Sequence, residues 1–362
     1  MSRARDFADL AGSADAGGLT GRNLIINGAM EVSQRGTTFA STANVAYTLD
    51  RMQWYDTGAG VVDISQSTDT PNGNFKNSLK VDVTTADSSL AAGDLYNIIH
   101  QIEGYNIAHL GWGTSDAKTV TLSFHIKSPK TGTHCVTLRN SDQTRTRVEE
   151  FTINSADTWE KKTITITGDT SGTWQSTTSA GIQLIFPLAL GSTYHSSVAA
   201  GSWGNGGNIY GSSNQVNCMD NASNNWYITG VQLEVGETAT PFEHRSYADT
   251  IRQCRRYFSR FNADSTTAPI VEINVWSTAT KYGKLNFPVE MRTNPTFTAS
   301  NLSHFTVLVA GSTTTPTSFS VGSGDTTYAE LIVATASFGS PGQAGWVRIV
   351  DTSGYADLDA EL

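Results

Sequence analysis

Cysteine is scarce in this chain of 362 residues, which contains only three. They are Cys135, Cys218 and Cys254, an odd number at wide spacing. That pattern excludes a disulfide framework and the paired clusters of a zinc site. We therefore expect the three thiols to be reduced and partly buried, in a protein that matures in a reducing cytoplasm.

Long apolar runs and strong positive charge are missing as well. No stretch approaches the roughly 20 apolar residues of a transmembrane helix, and the opening MSRARDFADLAGSADAGG lacks the apolar region of a secretion signal. Membrane insertion and ordinary export are therefore not expected. The formal net charge of -9 disfavours a general nucleic-acid-binding role. The arginines between Arg252 and Arg260 fit either phosphate contact or charge pairing on a helix face.

Catalytic motifs are also absent. The sequence has no G-x-S-x-G elbow, P-loop or H-E-x-x-H pair, and its histidines are scattered singly. Glycoside hydrolysis requires two carboxylates about 5 to 10 Å apart across a groove. The sequence offers Asp82, Glu103, Glu149 and Glu150 without placing any pair of them. We predict a protein with neither enzymatic activity nor a cofactor, and a glycan depolymerase is the alternative.

Only 16% of the residues are charged, whereas glycine, serine, threonine and asparagine are abundant. Threonine tolerates strands, and glycine and asparagine suit turn positions with positive φ. Turn signals separate about ten segments of strand character. The predicted strands are Arg51–Tyr55, Val61–Ser65, Ser78–Val83, Tyr96–Glu103, Thr119–Lys127, His134–Arg139, Val148–Asn154, Trp159–Thr167, Gly181–Leu188 and Tyr227–Val235. They predict two stacked antiparallel sheets, a jelly-roll-like β-sandwich.

The segment WYITGVQLEVGETATPFEHRSY, residues 226–247, is predicted to close this sandwich. Its first half alternates in the period of a strand with a buried face, and Gly236 and Pro241 mark the end of the strand. At the other end of the domain, NLIINGAMEVSQRG (23–36) predicts a strand, a tight turn at Asn27-Gly28 and a second extended piece.

The pattern changes after residue 247. Apolar residues then recur at helical intervals, at Ile251, Cys254, Tyr257, Phe258 and Phe261. They predict a short helix that runs into a strand, and strand patterns continue to the end of the chain. We therefore predict an all-β protein with a jelly-roll domain (23–247) and a short helix followed by a smaller C-terminal β-sandwich domain (248–362).

Residues 1–22 form a third part. Phe7 and Leu10 lie on one side of a predicted helical turn, and a glycine-rich linker follows. A short amphipathic peptide on a flexible leash suits docking to another protein. A frayed terminus is the alternative.

Loop aromatics are the candidate binding residues. Trp112, Trp174, Trp203 and Tyr210 lie among glycine, serine, threonine and asparagine, the last two in the long segment 191–225. Exposed aromatic faces beside amides and hydroxyls suit sugar rings, whose C–H faces stack while their hydroxyls form hydrogen bonds. The alternative is that these residues pin long loops or pack between subunits.

Several segments resemble tail-fibre proteins of tailed bacteriophages. They are NLIINGAMEVSQRG (23–36), LSFHIKSPKTGTHCVTLRN (122–140), TWEKKTITITGDTSGTW (158–174), ITGVQLEVGETATPFEHRSY (228–247) with the following RQCRRYF, FPVEMRTNPTF (287–297) and the final DAEL. The opening MSRARDFADL also resembles the start of short fibres. The resemblance implies a structural or receptor-binding virion protein, usually a homotrimer, that contacts other phage proteins through its N-terminus.

The large domain is similar, more distantly, to carbohydrate-binding jelly rolls, which often hold a structural calcium between an N-G-x-F-E motif and the closing strand. Asn27, Glu31 and Glu234 match that pattern in part. Thr229 and Gly230 stand where acidic ligands would be expected, and calcium needs several oxygen ligands. We therefore predict no metal and keep these three residues as weak calcium candidates.

Together these features predict a non-enzymatic phage tail fibre, a virion component assembled in the host cytoplasm, that adheres to the host surface by binding glycan. The resemblance implies three copies, whose avidity strengthens weak single sites. One alternative is a purely structural virion protein, such as a head fibre, decoration or tail adaptor, without receptor binding. The other is the depolymerase.

Overall fold

The computed structural model describes residues 21–42, 44–71, 73–262 and 267–362. Phe7 and Leu10, the predicted docking residues, lie outside these ranges. The described chain divides into two compact units, of which the first ends at Thr250 and the second spans Ile251–Glu361. Strands dominate both units, so the all-β prediction is confirmed. In the described part of the chain, no helix combines the length and apolarity needed to span a bilayer.

The first unit is a sandwich of two antiparallel sheets. The described strands are β1 (Thr38–Thr42), β2 (Val45–Tyr47), β3 (Met52–Asp56), β4 (Val61–Ser67), β5 (Ser78–Thr85), β6 (Leu95–Glu103), β7 (Val120–Lys127), β8 (Gly132–Arg139), β9 (Arg145–Ile153), β10 (Glu160–Ile166), β11 (Ala180–Leu190), β12 (Trp203–Asn205) and β13 (Asn225–Val235). A six-stranded sheet has the order β1-β4-β5-β13-β7-β10, and a seven-stranded sheet has the order β12-β9-β8-β11-β6-β3-β2. A short helix α1 (Gly104–Ile107) follows β6.

Apolar side chains at alternate positions fill the space between the two sheets. Trp54, Ile98 and Leu184 come from the seven-stranded sheet, and Leu122 and Leu233 come from the six-stranded sheet. Alternation with a period of two places these residues inward while their neighbours face outward. All ten strands predicted for this domain are present, with ends that shift by up to three residues.

The closing strand β13 departs from strict alternation. Trp226 and Ile228 face the core in its first half, but Val231 and Leu233 do so in its second half. The register shifts between Thr229 and Gln232, where Gly230 takes a φ of 62°. A bulge at a residue free to adopt positive φ moves the buried face by one position. The sequence predicted one unbroken alternation of buried and outward residues over 227–235. The structure follows it only after the bulge, from Val231 onward.

The segment 23–36 forms the predicted turn without flanking strands. Asn27 has a φ of 61°, and its side chain bonds the backbone N–H and carbonyl of Val32, at 3.0 and 2.9 Å. These side-chain bonds replace a strand ladder. A Cβ on Gly28 would lie 2.1 Å from the carbonyl oxygen of Val231, so only glycine fits where the turn crosses β13.

The second unit contains helix α2 (Tyr247–Arg255), which begins before the unit boundary, and a second pair of sheets. The described strands are β14 (Phe258–Asn262), β15 (Ala268–Val275), β16 (Thr280–Asn286), β17 (Thr296–Ala299), β18 (Phe305–Val309), β19 (Ser312–Thr314), β20 (Ser318–Gly324), β21 (Tyr328–Ala334), β22 (Ala344–Ile349) and β23 (Tyr355–Asp359). A three-stranded sheet, β14-β23-β17, packs against a seven-stranded sheet, β19-β18-β22-β15-β16-β21-β20. The predicted C-terminal β-sandwich is thus present.

Candidate functional site

Three of the four candidate aromatics lie together, in what we call the tryptophan cluster. The ring centroids of Trp112 and Trp174 are 4.7 Å apart, those of Trp112 and Trp203 5.3 Å, and those of Trp174 and Trp203 5.4 Å. All three pairs meet edge to face. Trp112 is buried, and the other two are half-buried against the core of the first unit.

The indole N–H groups of the tryptophan cluster all bond to backbone. Trp112 donates to the carbonyl of Lys118 at 2.8 Å, Trp203 to that of Thr167 at 2.8 Å, and Trp174 to that of Ser171 at 3.2 Å. Rings packed on one another, with their polar atoms engaged, tie two loops and the start of β12 together. This geometry matches the loop-pinning role that the sequence left open.

The fourth candidate, Tyr210, lies elsewhere, on the outer face of the first unit's seven-stranded sheet. It packs edge to face on Tyr194, at 5.4 Å between ring centroids, and belongs to an outer cluster that also contacts Tyr55 on β3. Burial, with the nearby Tyr210 and Tyr194 hydroxyls, raises the pKa of Tyr55. The long 191–225 segment therefore folds onto this face and brings Tyr194 and Tyr210 to it.

Polar side chains cross the same face in a hydrogen-bonded row. Arg139 Nε on β8 donates to Gln183 Oε1 on β11 at 2.6 Å, and Gln183 Nε2 donates to Gln101 Oε1 on β6 at 3.1 Å. Arg139 Nη2 also donates to Tyr210 Oη at 3.2 Å. Gln183 is half-buried. We call the surface of Tyr55, Arg139, Gln183, Tyr194 and Tyr210 the tyrosine face.

The row continues to one edge of the sheet. Gln101 Nε2 lies 3.3 Å from Tyr47 Oη on β2, and both residues donate to the carbonyl of Leu362, which groups with the first unit. Within the tyrosine face, Arg139 and Tyr210 are buried, whereas Tyr55, Gln183 and Tyr194 are half-buried and reach solvent. The buried Arg139 and Gln101 side chains thus fix the orientation of the Gln183 amide before any ligand arrives.

The weak calcium candidates do not converge on a metal site. Asn27 is fully engaged with backbone, and the buried Glu234 accepts from Gln232 Nε2 at 2.8 Å, Thr240 Oγ1 at 2.6 Å and Thr240 N at 2.9 Å. Arg22 Nε lies 3.5 Å from the same carboxylate. In the described ranges, no three His, Cys, Asp or Glu side chains group as metal ligands. The Glu234 carboxylate, which the calcium motif would use as a ligand, is therefore already engaged by hydrogen bonds and by the Arg22 guanidinium.

The arginines near α2 include one well-defined ion pair. Arg260 donates from Nε and Nη2 to the two carboxylate oxygens of Asp357, both at 2.7 Å, and its guanidinium lies 4.0 Å from the Tyr355 ring centroid. A bidentate, stacked arginine serves the packing of the small sheet. The three cysteines are free thiols, and all are buried.

One aromatic surface escaped the sequence prediction, and it lies on the second unit. Trp276 and Trp346 are 72% and 38% exposed. Trp346 and Tyr282 line a groove of about 680 Å³ on the outer face of the second unit's seven-stranded sheet, together with Glu272, Asn274, Lys284 and Leu308. We call it the aromatic groove. The sequence did contain a pattern that predicts this surface. In β15, β16 and β22 the residues alternate, and the alternation puts Glu272, Asn274, Tyr282 and Trp346 at outward positions.

Comparisons with known proteins found no matching family model and no matching curated protein. Solved structures that resemble the chain include the enzymatically active domain of tailspike protein 4 of bacteriophage CBA120, at 14% identity and a TM-score of 0.30 over 54% of this chain and 21% of that one. An arabinose-bound α-L-arabinofuranosidase gives 13% identity and a TM-score of 0.34, over 65% of this chain and 30% of that one.

Carbohydrate-binding modules also resemble the chain. A family 11 module from Clostridium thermocellum, in complex with a β-1,3-1,4-mixed-linked tetrasaccharide, gives 12% identity and a TM-score of 0.28 over 57% of this chain and 97% of that one. The chain spans less than a third of the tailspike and arabinofuranosidase chains.

Proposed function

We propose that this protein is a bacteriophage tail fibre, a non-enzymatic virion component that adheres to the host by binding surface glycan. The observation that carries the proposal is the tyrosine face. There the buried Arg139 guanidinium and Gln101 amide hold the half-buried Gln183 amide between them, and the half-buried Tyr55 ring packs on the same face against the cluster that contains Tyr210. Planar donors and acceptors beside an aromatic ring match the hydroxyls and C–H faces of a sugar.

The fibre assignment is supported by the sequence resemblance, and the structure gives its segments a shared physical role. Glu243, from the ATPFEHR segment, accepts the backbone N–H of Asn23 at 2.8 Å and that of Gly21. Arg245 Nη2 donates to the carbonyl of Asn23 at 2.6 Å. Two of the resembling segments, 23–36 and 228–247, are thus fastened to each other through the side chains of Glu243 and Arg245.

Binding without hydrolysis is supported by the partners of the carboxylates. Glu149 pairs with Arg147 at 2.6 Å, Asp82 with Lys80 at 2.9 Å, and Glu150 accepts from Asn214 Nδ2 at 3.1 Å. Glu149 and Asp82 are thus held in ion pairs and Glu150 by an amide, so these three side chains are better suited to structure than to acid–base chemistry.

A purely structural virion role is the second candidate, and the tryptophan cluster favours it. Three of the four loop aromatics that the sequence offers for sugar contact pack against one another instead. In that case the tyrosine face would only pack the 191–225 segment against the sheet.

The test is binding of purified full-length protein to host cells and to their extracted surface polysaccharide. We expect saturable binding that free polysaccharide displaces, and a loss of about tenfold or more in Gln183→Ala and in Tyr55→Ala. Tyr105→Ala is the matched control, because Tyr105 is 60% exposed and lies off the tyrosine face. Antibody against the protein should label the tails of intact virions.

Two results would count against the proposal. A protein that labels virions but ignores cells and polysaccharide would establish the structural role. Binding that survives both substitutions would remove the tyrosine face as the glycan site. Release of reducing sugar from the polysaccharide during the same incubation would instead establish a depolymerase.

A further inference from the structure

We propose that the aromatic groove on the second unit is a separate binding site for a neutral oligosaccharide segment, with sugar rings stacked on Trp346, Tyr282 and Trp276. The inference rests on the proposed function, because glycan is the ligand in both. The aromatic groove is a different site from the tyrosine face, with different residues, on the other unit of the chain.

The exposure of two tryptophans is the first observation. Trp276 is 72% exposed, whereas the three members of the tryptophan cluster are buried or half-buried. Indoles are large apolar groups that proteins rarely leave in water, and exposed apolar patches mark interaction sites. Trp276 also packs edge to face on Tyr282, at 6.2 Å between ring centroids, so its ring lies next to the groove, at the turn between β15 and β16.

The hydrogen-bond state of these rings is the second observation. The indole N–H groups of Trp112, Trp174 and Trp203 all donate to carbonyls. By contrast, those of Trp276 and Trp346, like the Tyr282 hydroxyl, bond to no residue in the described parts of the chain. Aromatic side chains that keep a polar atom in water beside an open ring are ready to meet a partly polar ligand.

The spacing of the strands is the third observation. Trp346 on β22 stands opposite Leu308 on β18 and Glu272 on β15, and Tyr282 on β16 stands opposite Asn274 on β15. Neighbouring strands lie roughly 4.8 Å apart, so two strand spacings separate Trp346 from Tyr282 by about 10 Å across the strands. The two-residue offset between Glu272 and Asn274 adds about 7 Å along β15, which makes the separation about 12 Å. That distance is about the length of two linked pyranose rings, which would cross the strands.

The polar floor decides which ligand fits. Glu272 and Asn274 line the groove and form no side-chain hydrogen bond within the described residues, while Lys284 lies 4.4 Å from the Tyr328 ring centroid. Burying an unpaired carboxylate or ammonium under an apolar protein surface is costly. Sugar hydroxyls both donate and accept, so they satisfy Glu272, Asn274 and Lys284 together. A groove with both charge signs in a chain of net charge -9 fits an uncharged glycan better than a polyanion.

The experiment is a calorimetric and tryptophan-fluorescence titration of the full-length protein with three neutral probes, cellohexaose, maltohexaose and mannohexaose. We expect at least one probe to bind and to change the fluorescence, and we expect Trp346→Ala and Trp276→Ala to lose about tenfold or more in affinity. Gln183→Ala should keep that binding, because Gln183 belongs to the other unit. Tyr105→Ala is the matched exposed-aromatic control.

The outcomes separate this inference from the proposed function. If no probe binds, or if both tryptophan variants bind like the parent, the groove is not a neutral-glycan site, whatever the cells show. If Gln183→Ala alone abolishes probe binding, the proposed function stands and the groove inference fails. If the tryptophan variants instead lower the oligomeric mass, the groove packs against a second copy, and the inference is overturned.

Discussion

At the residue scale, tryptophan has opposite roles in the two units: it is packed in the first and exposed in the second. Trp112 meets Trp174 and Trp203 and is sealed by a backbone hydrogen bond. Trp276 ends a strand pattern yet stands open to solvent. Both lie next to small polar residues in the sequence, so local composition does not separate them. Their difference should therefore appear in stability rather than in any sequence signal.

We predict that Trp112→Ala lowers the free energy of unfolding of the first unit by roughly 3–5 kcal/mol, because it removes a buried indole and leaves a cavity. Trp276→Ala should change stability by less than about 0.5 kcal/mol, because the ring is mostly in water. Urea unfolding of both variants, followed by circular dichroism, checks the contrast. Equal small losses in the two variants would mean that the tryptophan cluster does not stabilise the fold.

At the element scale, the distinctive closing segment works as a clamp. Burial disfavours the charged form of Glu243, but the backbone N–H groups of Asn23 and Gly21, together with Arg245, outweigh it and lower its pKa. A carboxylate with a lowered folded pKa stabilises the fold above its unfolded pKa, and that contribution disappears as the pH falls through the folded pKa. The clamp should therefore weaken in acid.

We predict that Glu243→Gln destabilises the first unit at pH 7 and that its difference from the parent shrinks as the pH falls below the ordinary value of 4.5. Denaturant unfolding at intervals from neutral to strongly acid pH checks this convergence. Glu237→Gln, an exposed carboxylate of the same segment, is the control and should leave stability unchanged. A Glu243→Gln deficit that stays constant at every pH would show that the carboxylate charge is not what holds the clamp.

At the scale of the whole molecule, the proposed adhesion depends on the number of linked copies of the chain as well as on the binding sites of each copy. Shallow faces such as the tyrosine face give weak single contacts, and linked copies multiply them through effective concentration. The resemblance to tail fibres implies three copies per fibre, which we propose for this chain.

We predict that light scattering of the purified full-length protein gives three times the chain mass. Dilution or mutation that yields monomers should weaken attachment to cells by a hundredfold or more, while affinity for a single short oligosaccharide stays the same. If the parent protein is a monomer and still attaches to cells as tightly as expected for the trimer, avidity does not contribute to the attachment.

The sequence by itself determined the all-β class, ten of the thirteen described strands of the first unit and the helix before the smaller sandwich, because periodicity and turn residues are local signals. It also identified the segments 23–36 and 228–247 as special. The bulge at Gly230 escaped it, since a shift of one position shows only when β13 is paired with β7. The alternation of β15, β16 and β22 placed Tyr282 and Trp346 at outward positions. Only the tertiary structure decided that Trp112, Trp174 and Trp203 pack against one another, because their contacts join segments that are far apart in the chain.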